Sequence, residues 1–142
     1  MESKSVGIEL HVHRARPIPA EAVRRLYDHA GWWPQRSVED IARALATGPA
    51  VGAWAGPDLI GFARAVADGS LRAYIEDVVV RAAYRQRGVG ALLLDQLLAE
   101  LAPVETVSLF CEEELTAFYQ AHGFRATTQV VMHRRRDHDE QE

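Results

Sequence analysis

The segment at residues 82–101, AAYRQRGVGALLLDQLLAEL, constrains the fold more than any other part of this 142-residue chain. Leu94, Leu97, Leu98 and Leu101 fall at i, i+3, i+4 and i+7, which predicts a helix with one apolar face buried on something else. That helix begins near Gly88. Gly88 and Gly90 then occupy its first turn, where the backbone N–H groups have no intrahelical partner and carry the positive end of the macrodipole. Glycine at both positions lets an anion such as phosphate approach the backbone closely. Arg85 and Arg87 add positive charge to the same spot. A P-loop would need Gly-Lys-Ser/Thr here, and a dinucleotide fingerprint would need Gly or Ala where Leu93 stands, so neither applies. Taken alone, an Arg-x-x-Gly-x-Gly turn is equally compatible with a glycine-softened connection carrying solvated arginines.

Composition narrows the choice. With 48% hydrophobic residues, 142 residues suffice for one compact domain with a real core. A net charge of −4 argues against a protein that coats nucleic acid, since phosphate neutralisation needs a basic face. The arginines beside Gly88 must then serve a local anion. The single cysteine, Cys111, precludes an internal disulfide and suits a reducing compartment. No run approaches the ~18 apolar residues of a membrane span, and MESKSVGIEL lacks a signal-peptide core. A cytoplasmic protein without membrane or nucleic-acid partners is expected.

Along the chain, IELHVHR alternates as a first strand, and helices are predicted at 20–29 and from an N-cap at Ser37 to Gly48. AVGAWA, LIGFARAV and LRAYIEDVVV read as three strands of an antiparallel meander, parted by the turns GPD and DGS. After the leucine helix come a strand in VETVSLF, a short helix in EELTAFYQAH ending at Gly123, and a last strand in TTQVVMHRR. The order is β-α-α-β-β-β-α-β-α-β, an α/β (α+β) single domain over 1–142 with a mixed, largely antiparallel sheet. Residues 134–142 read as a solvated charged tail.

Two separate stretches, DVVVRAAYRQRGVGALLLDQLL and FYQAHGF, resemble the GNAT superfamily of acyl-CoA-dependent N-acetyltransferases, as does the order of elements. YDHAGWWP, LIGFARAVADG and FYQAHGF are more narrowly similar to a branch that includes chloroplast arylalkylamine and serotonin N-acetyltransferases and bacterial relatives. The resemblance implies acetyl-CoA as cosubstrate, no metal, and a small-molecule amine acceptor, and it is compatible with a homodimer. It implies that Arg85, Gln86, Arg87, Gly88, Val89, Gly90 and Ala91 hold the pyrophosphate, and that backbone groups of Val78 and Val80 pair with the pantetheine arm. Plain core packing explains the valine side chains equally well.

Acetylating an amine requires a neutral amine, a polarised thioester carbonyl and a proton for the departing thiolate. Glu76 precedes Val78 and Val80 by two and four residues, so strand alternation puts it on their face, as a base, a substrate-orienting anion or a structural carboxylate. Asp77 faces the other way and reads as structural. Tyr119 stands where the resemblance implies a general acid or thiol-orienting phenol, the other reading being core packing. Glu112 occupies a position at which family members often carry Asn. Cys111 reads as packing, and His11 with His13 lacks a third metal ligand. Trp32 and Trp33 either stack an aromatic amine or anchor their loop. Two indoles with Glu76 favour phenethylamine-like or tryptamine-like acceptors over amino acids with a free carboxylate. The function expected is direct acetyl transfer from acetyl-CoA to a primary amine in a ternary complex. A non-catalytic acyl-CoA-binding protein of the same fold is the alternative.

Overall fold

The structure, a computed structural model, describes residues 7–136, so the first six residues and the end of the charged tail lie outside it. The chain forms two compact units, one ending at Phe110 and one beginning at Cys111.

The first unit holds strands β1 (Ile8–Val12), β2 (Ala50–Ala55), β3 (Asp58–Ala67), β4 (Arg72–Val80) and β5 (Thr106–Leu109), with helices α1 (Ala20–Ala30), α2 (Val38–Thr47) and α3 (Val89–Glu100). The strands make one sheet in sequence order, and the first four are antiparallel. β4 and β5 run parallel, as they must with α3 as the crossover between them. Local chemistry sets the helix ends. Ser37 and Asp40 form a reciprocal capping box at the start of α2, with bonds of 3.0 and 3.1 Å. Gly31 ends α1 at φ 76°, a left-handed conformation that glycine adopts without penalty.

Two faces of the sheet are covered. Val23, Leu26 and Tyr27 of α1 and Ile41 and Leu45 of α2 share one buried cluster with Trp54, Leu59, Phe62 and Val79. α3 covers the opposite face. A Cβ at Gly61, next to Phe62, would lie 3.0 Å from Leu93 and 3.4 Å from Val89, so glycine permits the close approach of helix and strand. The leucine helix begins as expected, with Gly88 as its N-cap, but its buried face is rotated. Leu93, Leu94, Leu97 and Leu101 are buried and Leu98 only half so. The reason is that Val89, Leu93, Leu97 and Leu101, every fourth residue, form a ridge that lies along the sheet.

In the second unit, a 3₁₀ turn at Glu113–Leu115 leads into α4 (Thr116–Gln120), and the chain turns at Gly123 with φ 94°. The strand expected in TTQVVMHRR does not form: no strand follows β5 among the described residues. Val130 and Met132 are 81% and 86% exposed. β-branched composition is only a local preference, and a strand needs a paired edge and a buried face to hold it.

Candidate active site

The site is built on an irregularity in β4. Its register against β3 pairs Asp77 with Arg64 and Ile75 with Ala65, so Glu76 is an extra residue, a β-bulge. A bulge breaks side-chain alternation and re-aims the residue it adds. Asp77 and Val79 point toward α1, since Asp77 meets Tyr27 and Val79 lies in the α1–α2 cluster. Val78 and Val80 therefore face α3. Glu76 does not share their face, contrary to strict alternation. It accepts a hydrogen bond from Arg36 at 2.8 Å, on the same α1–α2 loop that Asp77 meets. Two adjacent carboxylates thus address one loop.

Asp77 has no exposed side-chain surface and accepts from the Tyr27 hydroxyl at 2.7 Å, the Trp33 indole N–H at 3.1 Å and Arg64 Nε at 3.2 Å. Three donors compensate a buried charge that would otherwise be too costly to keep. The reading of Asp77 as structural matches this placement. Trp33 sits at φ 50°, a left-handed backbone that costs a bulky residue of order 1–3 kcal/mol and persists only where its surroundings hold it. The holding groups are evident. Besides the bond to Asp77, Trp33 packs under the Arg36 guanidinium, 3.9 Å from the ring centroid, and its carbonyl accepts from Arg24 at 2.8 Å. Arg24 also donates to the carbonyls of Trp32 and Arg36. Both tryptophans pack partly against the core cluster, Trp32 with its ring 6.5 Å from Tyr27.

Burial, reinforced by the Asp77 charge, raises the Tyr27 phenol pKa well above its ordinary value. An unfolded tyrosine loses its proton near pH 10, while folded Tyr27 retains it, so above pH 10 the unfolded state binds fewer protons and stability falls as pH rises. The expected slope is up to ~1.4 kcal/mol per pH unit. Urea midpoints between pH 8 and 11 check this. Tyr27→Phe should flatten the alkaline limb, and an unchanged limb would rule Tyr27 out as its source.

β4 also loses its partner here. Pairing with β5 ends at Ile75–Leu109, and from Glu76 to Val80 no strand among the described residues occupies that edge. Arg81 N–H donates to Ile60 O at 2.8 Å, so the odd-numbered residues at this end of β4 bond to β3. Val78 and Val80 accordingly turn their N–H and C=O groups to the open edge. Arg85 Nε caps one of these groups, donating to Val80 O at 3.0 Å. Arg85 is therefore tied to the strand edge at the threshold of the turn.

The turn itself places Gln86 at φ 63° and Gly88 at φ 82°, and a Cβ on Gly88 would meet nothing within 4 Å. The first α3 bond runs from Leu92 N–H to Gly88 O, leaving the N–H groups of Val89, Gly90 and Ala91 without helical acceptors. Arg87 lies over Tyr84, 5.3 Å from its ring centroid. These donors and guanidinium groups fit a pyrophosphate, and the open edge fits an extended amide chain.

In the second unit Tyr119 is half-buried, its ring 4.9 Å from Phe118 and 6.0 Å from Phe124. Burial first, and the charge Cys111 can carry second, raise its phenol pKa, so the hydroxyl stays protonated. Cys111 and Glu112 are exposed. His13 Nδ1 accepts from Ile18 N–H at 2.9 Å, and His11 pairs with Glu9.

Sequence reasoning missed Arg36 and Tyr74. Arg36 meets Glu76 across 40 residues, which no local pattern announces. Tyr74, two residues before Glu76, was a readable neighbour. Its ring lies tilted against Phe110 at 4.9 Å, and burial with the Glu76 charge pushes its pKa up to about 12.

A sheet whose fourth strand parts from its parallel neighbour, beside a glycine turn opening a helix, is the arrangement that the resemblance to N-acetyltransferases leads one to expect. Comparison with known proteins gives the family. The acetyltransferase (GNAT) family model matches residues 15–124, and the chain belongs to that family. It is 28% identical over 123 residues to an uncharacterized N-acetyltransferase, ycf52, of Pyropia yezoensis, covering 82% of this chain and 70% of that protein. It is 31% identical over 108 residues to the chloroplastic serotonin N-acetyltransferase 2 of Oryza sativa, covering 73% of this chain but only 46% of that protein. A GNAT-family acetyltransferase from Streptococcus pneumoniae superposes with a TM-score of 0.74 at 25% identity, over 90% of this chain and 99% of that one. No helix among the described residues is long and apolar enough to cross a membrane.

Proposed function

We propose that the protein transfers the acetyl group of acetyl-CoA to a primary amine by direct attack in a ternary complex. The observation that carries this reading is the open edge of β4 at Val78 and Val80, which the chain follows with a glycine turn whose first-turn N–H groups, at Val89, Gly90 and Ala91, have no helical acceptor. The edge takes the pantetheine arm as an added strand. The turn from Arg85 to Ala91 takes the pyrophosphate, with Arg87 and Arg85 supplying positive charge. Glu76, the first residue past the end of β5 pairing, receives the amine and accepts its proton. The amine nitrogen then bonds to the thioester carbon, the carbon–sulfur bond breaks, the Tyr119 hydroxyl gives its proton to the sulfur, and the second proton on the nitrogen leaves through water to restore the phenol, giving a neutral amide and free thiol. Trp33 acts through Arg36, and Trp32 walls the loop beside it.

Gly88→Val tests the donor half. A β-branched residue at φ 82° is strained, and its side chain stands in the space left open above the turn. Wild type should gain about 2.7 kcal/mol of stability at acetyl-CoA 100-fold above Kd. Gly88→Val should lose that gain while its far-UV circular dichroism and cooperative unfolding persist. Full acetyl-CoA affinity in a folded Gly88→Val variant would remove the pyrophosphate assignment.

A further inference from the structure

An acceptor approaching Glu76 does not meet a bare carboxylate. Arg36 Nη2 donates to Glu76 Oε2 at 2.8 Å, and the two side chains retain 26% and 13% of their surface exposure. Arg36 is held in place by a clamped loop: its guanidinium lies over Trp33, Trp33 is bonded to Asp77, and Arg24 ties the carbonyls of Trp32, Trp33 and Arg36 together. A guanidinium carries five N–H donors. Among the described residues Glu76 is the one hydrogen-bond acceptor of the Arg36 side chain, so its other N–H donors remain available. The Asp77 charge is already matched by Arg64. Beside the bulge, Arg36 and Glu76 therefore present one charge of each sign, side by side.

We propose that the acceptor carries a carboxylate on the carbon bearing its amine, so that the site takes an α-amino acid, with Arg36 binding the carboxylate and Glu76 the ammonium. This rests on the acetyl-transfer reading and narrows its acceptor. An arylalkylamine brings positive charge alone, which Glu76 attracts and Arg36 repels from nearly the same place, so the two effects largely cancel. A zwitterion offers both signs on neighbouring atoms, and the planar guanidinium fork suits a carboxylate. The preference is the reverse of that expected from two indoles and Glu76, because Arg36 was not visible in that pairing.

The test uses matched acceptors: phenylalanine, phenylalaninamide and phenethylamine, with leucine and isoamylamine repeating the comparison on an aliphatic body. Two readouts are taken on wild type, Arg36→Gln and Arg36→Lys. One is thiol release from acetyl-CoA, and the other is calorimetric binding of each amine to protein saturated with CoA. A charge-assisted bond is worth ~10–100-fold, so wild type should favour phenylalanine over phenethylamine by at least about tenfold, mainly through KM. In Arg36→Gln that ratio should fall to about one, and in Arg36→Lys to an intermediate value. Should Arg36→Gln fail to fold, Arg36→Lys carries the comparison. The inference is overturned if phenethylamine equals or exceeds phenylalanine on wild type, if phenylalaninamide matches phenylalanine, if none of the amines binds, or if the Arg36 variants weaken all amines alike. Arg36-dependent binding of phenylalanine without acetylation would uphold the inference and overturn the transfer reading. Preferential acetylation of phenethylamine would do the opposite.

Discussion

Asp77→Ala should lower the unfolding free energy by about 3–5 kcal/mol, the cost of removing one partner from a buried charge pair. Arg64 would be left 14% exposed without its carboxylate, and the Tyr27 hydroxyl and the Trp33 indole N–H would lose their acceptor. Each orphaned donor adds desolvation cost, because the side chain of Asp77 is wholly enclosed and water does not substitute freely. The combined change Asp77→Leu and Arg64→Leu should be less damaging than Asp77→Ala, since it removes both charges and orphans only two neutral donors. Urea denaturation of the three proteins decides the matter. A loss below about 1 kcal/mol for Asp77→Ala would show that the carboxylate does not hold the loop to the sheet. The loop that carries Arg36 depends on the same residue, so any Asp77→Ala protein that remains folded should also show a raised KM for the acceptor.

Tyr119→Phe should reduce turnover by about 10²–10⁴-fold, the usual contribution of a positioned general acid or base. Acetyl-CoA affinity should be nearly unchanged. The substitution deletes one hydroxyl and keeps the ring that packs on Phe118 and Phe124. The raised phenol pKa keeps Tyr119 protonated across the neutral range, so it enters the reaction as a donor and lowering the pH adds nothing to it. Single-turnover rates beside an acetyl-CoA titration separate chemistry from binding. A wild-type chemical rate in Tyr119→Phe would reduce the tyrosine to a packing residue.

The start of α3 was legible in the sequence because it is local. The α3 start at Gly88 and the first-turn N–H groups after it depend on residues within four positions of one another, as does the N-cap read at Ser37 for α2, which the structure completes as a capping box with Asp40. The meander was legible for the same reason, through short turns between alternating runs. The surroundings of Glu76 were not. Strand alternation assigned Glu76 to the face of Val78 and Val80, and a single bulge moved it to the other side. Nothing within β4 marks that bulge, which exists only in the register against β3.

By itself the sequence determined the order of α1 to α4 and β1 to β5, the glycine turn and the apolar content of each element, since backbone preference and hydrophobic period act over a few residues. Tertiary structure alone decided which leucines of α3 face the sheet, that no strand forms over 127–135, and that Arg36 and Trp33 close on Glu76 and Asp77. Those contacts join residues 40 and 44 positions apart. Their partners are chosen by packing and charge compensation once the sheet has assembled, and no local pattern encodes such a choice.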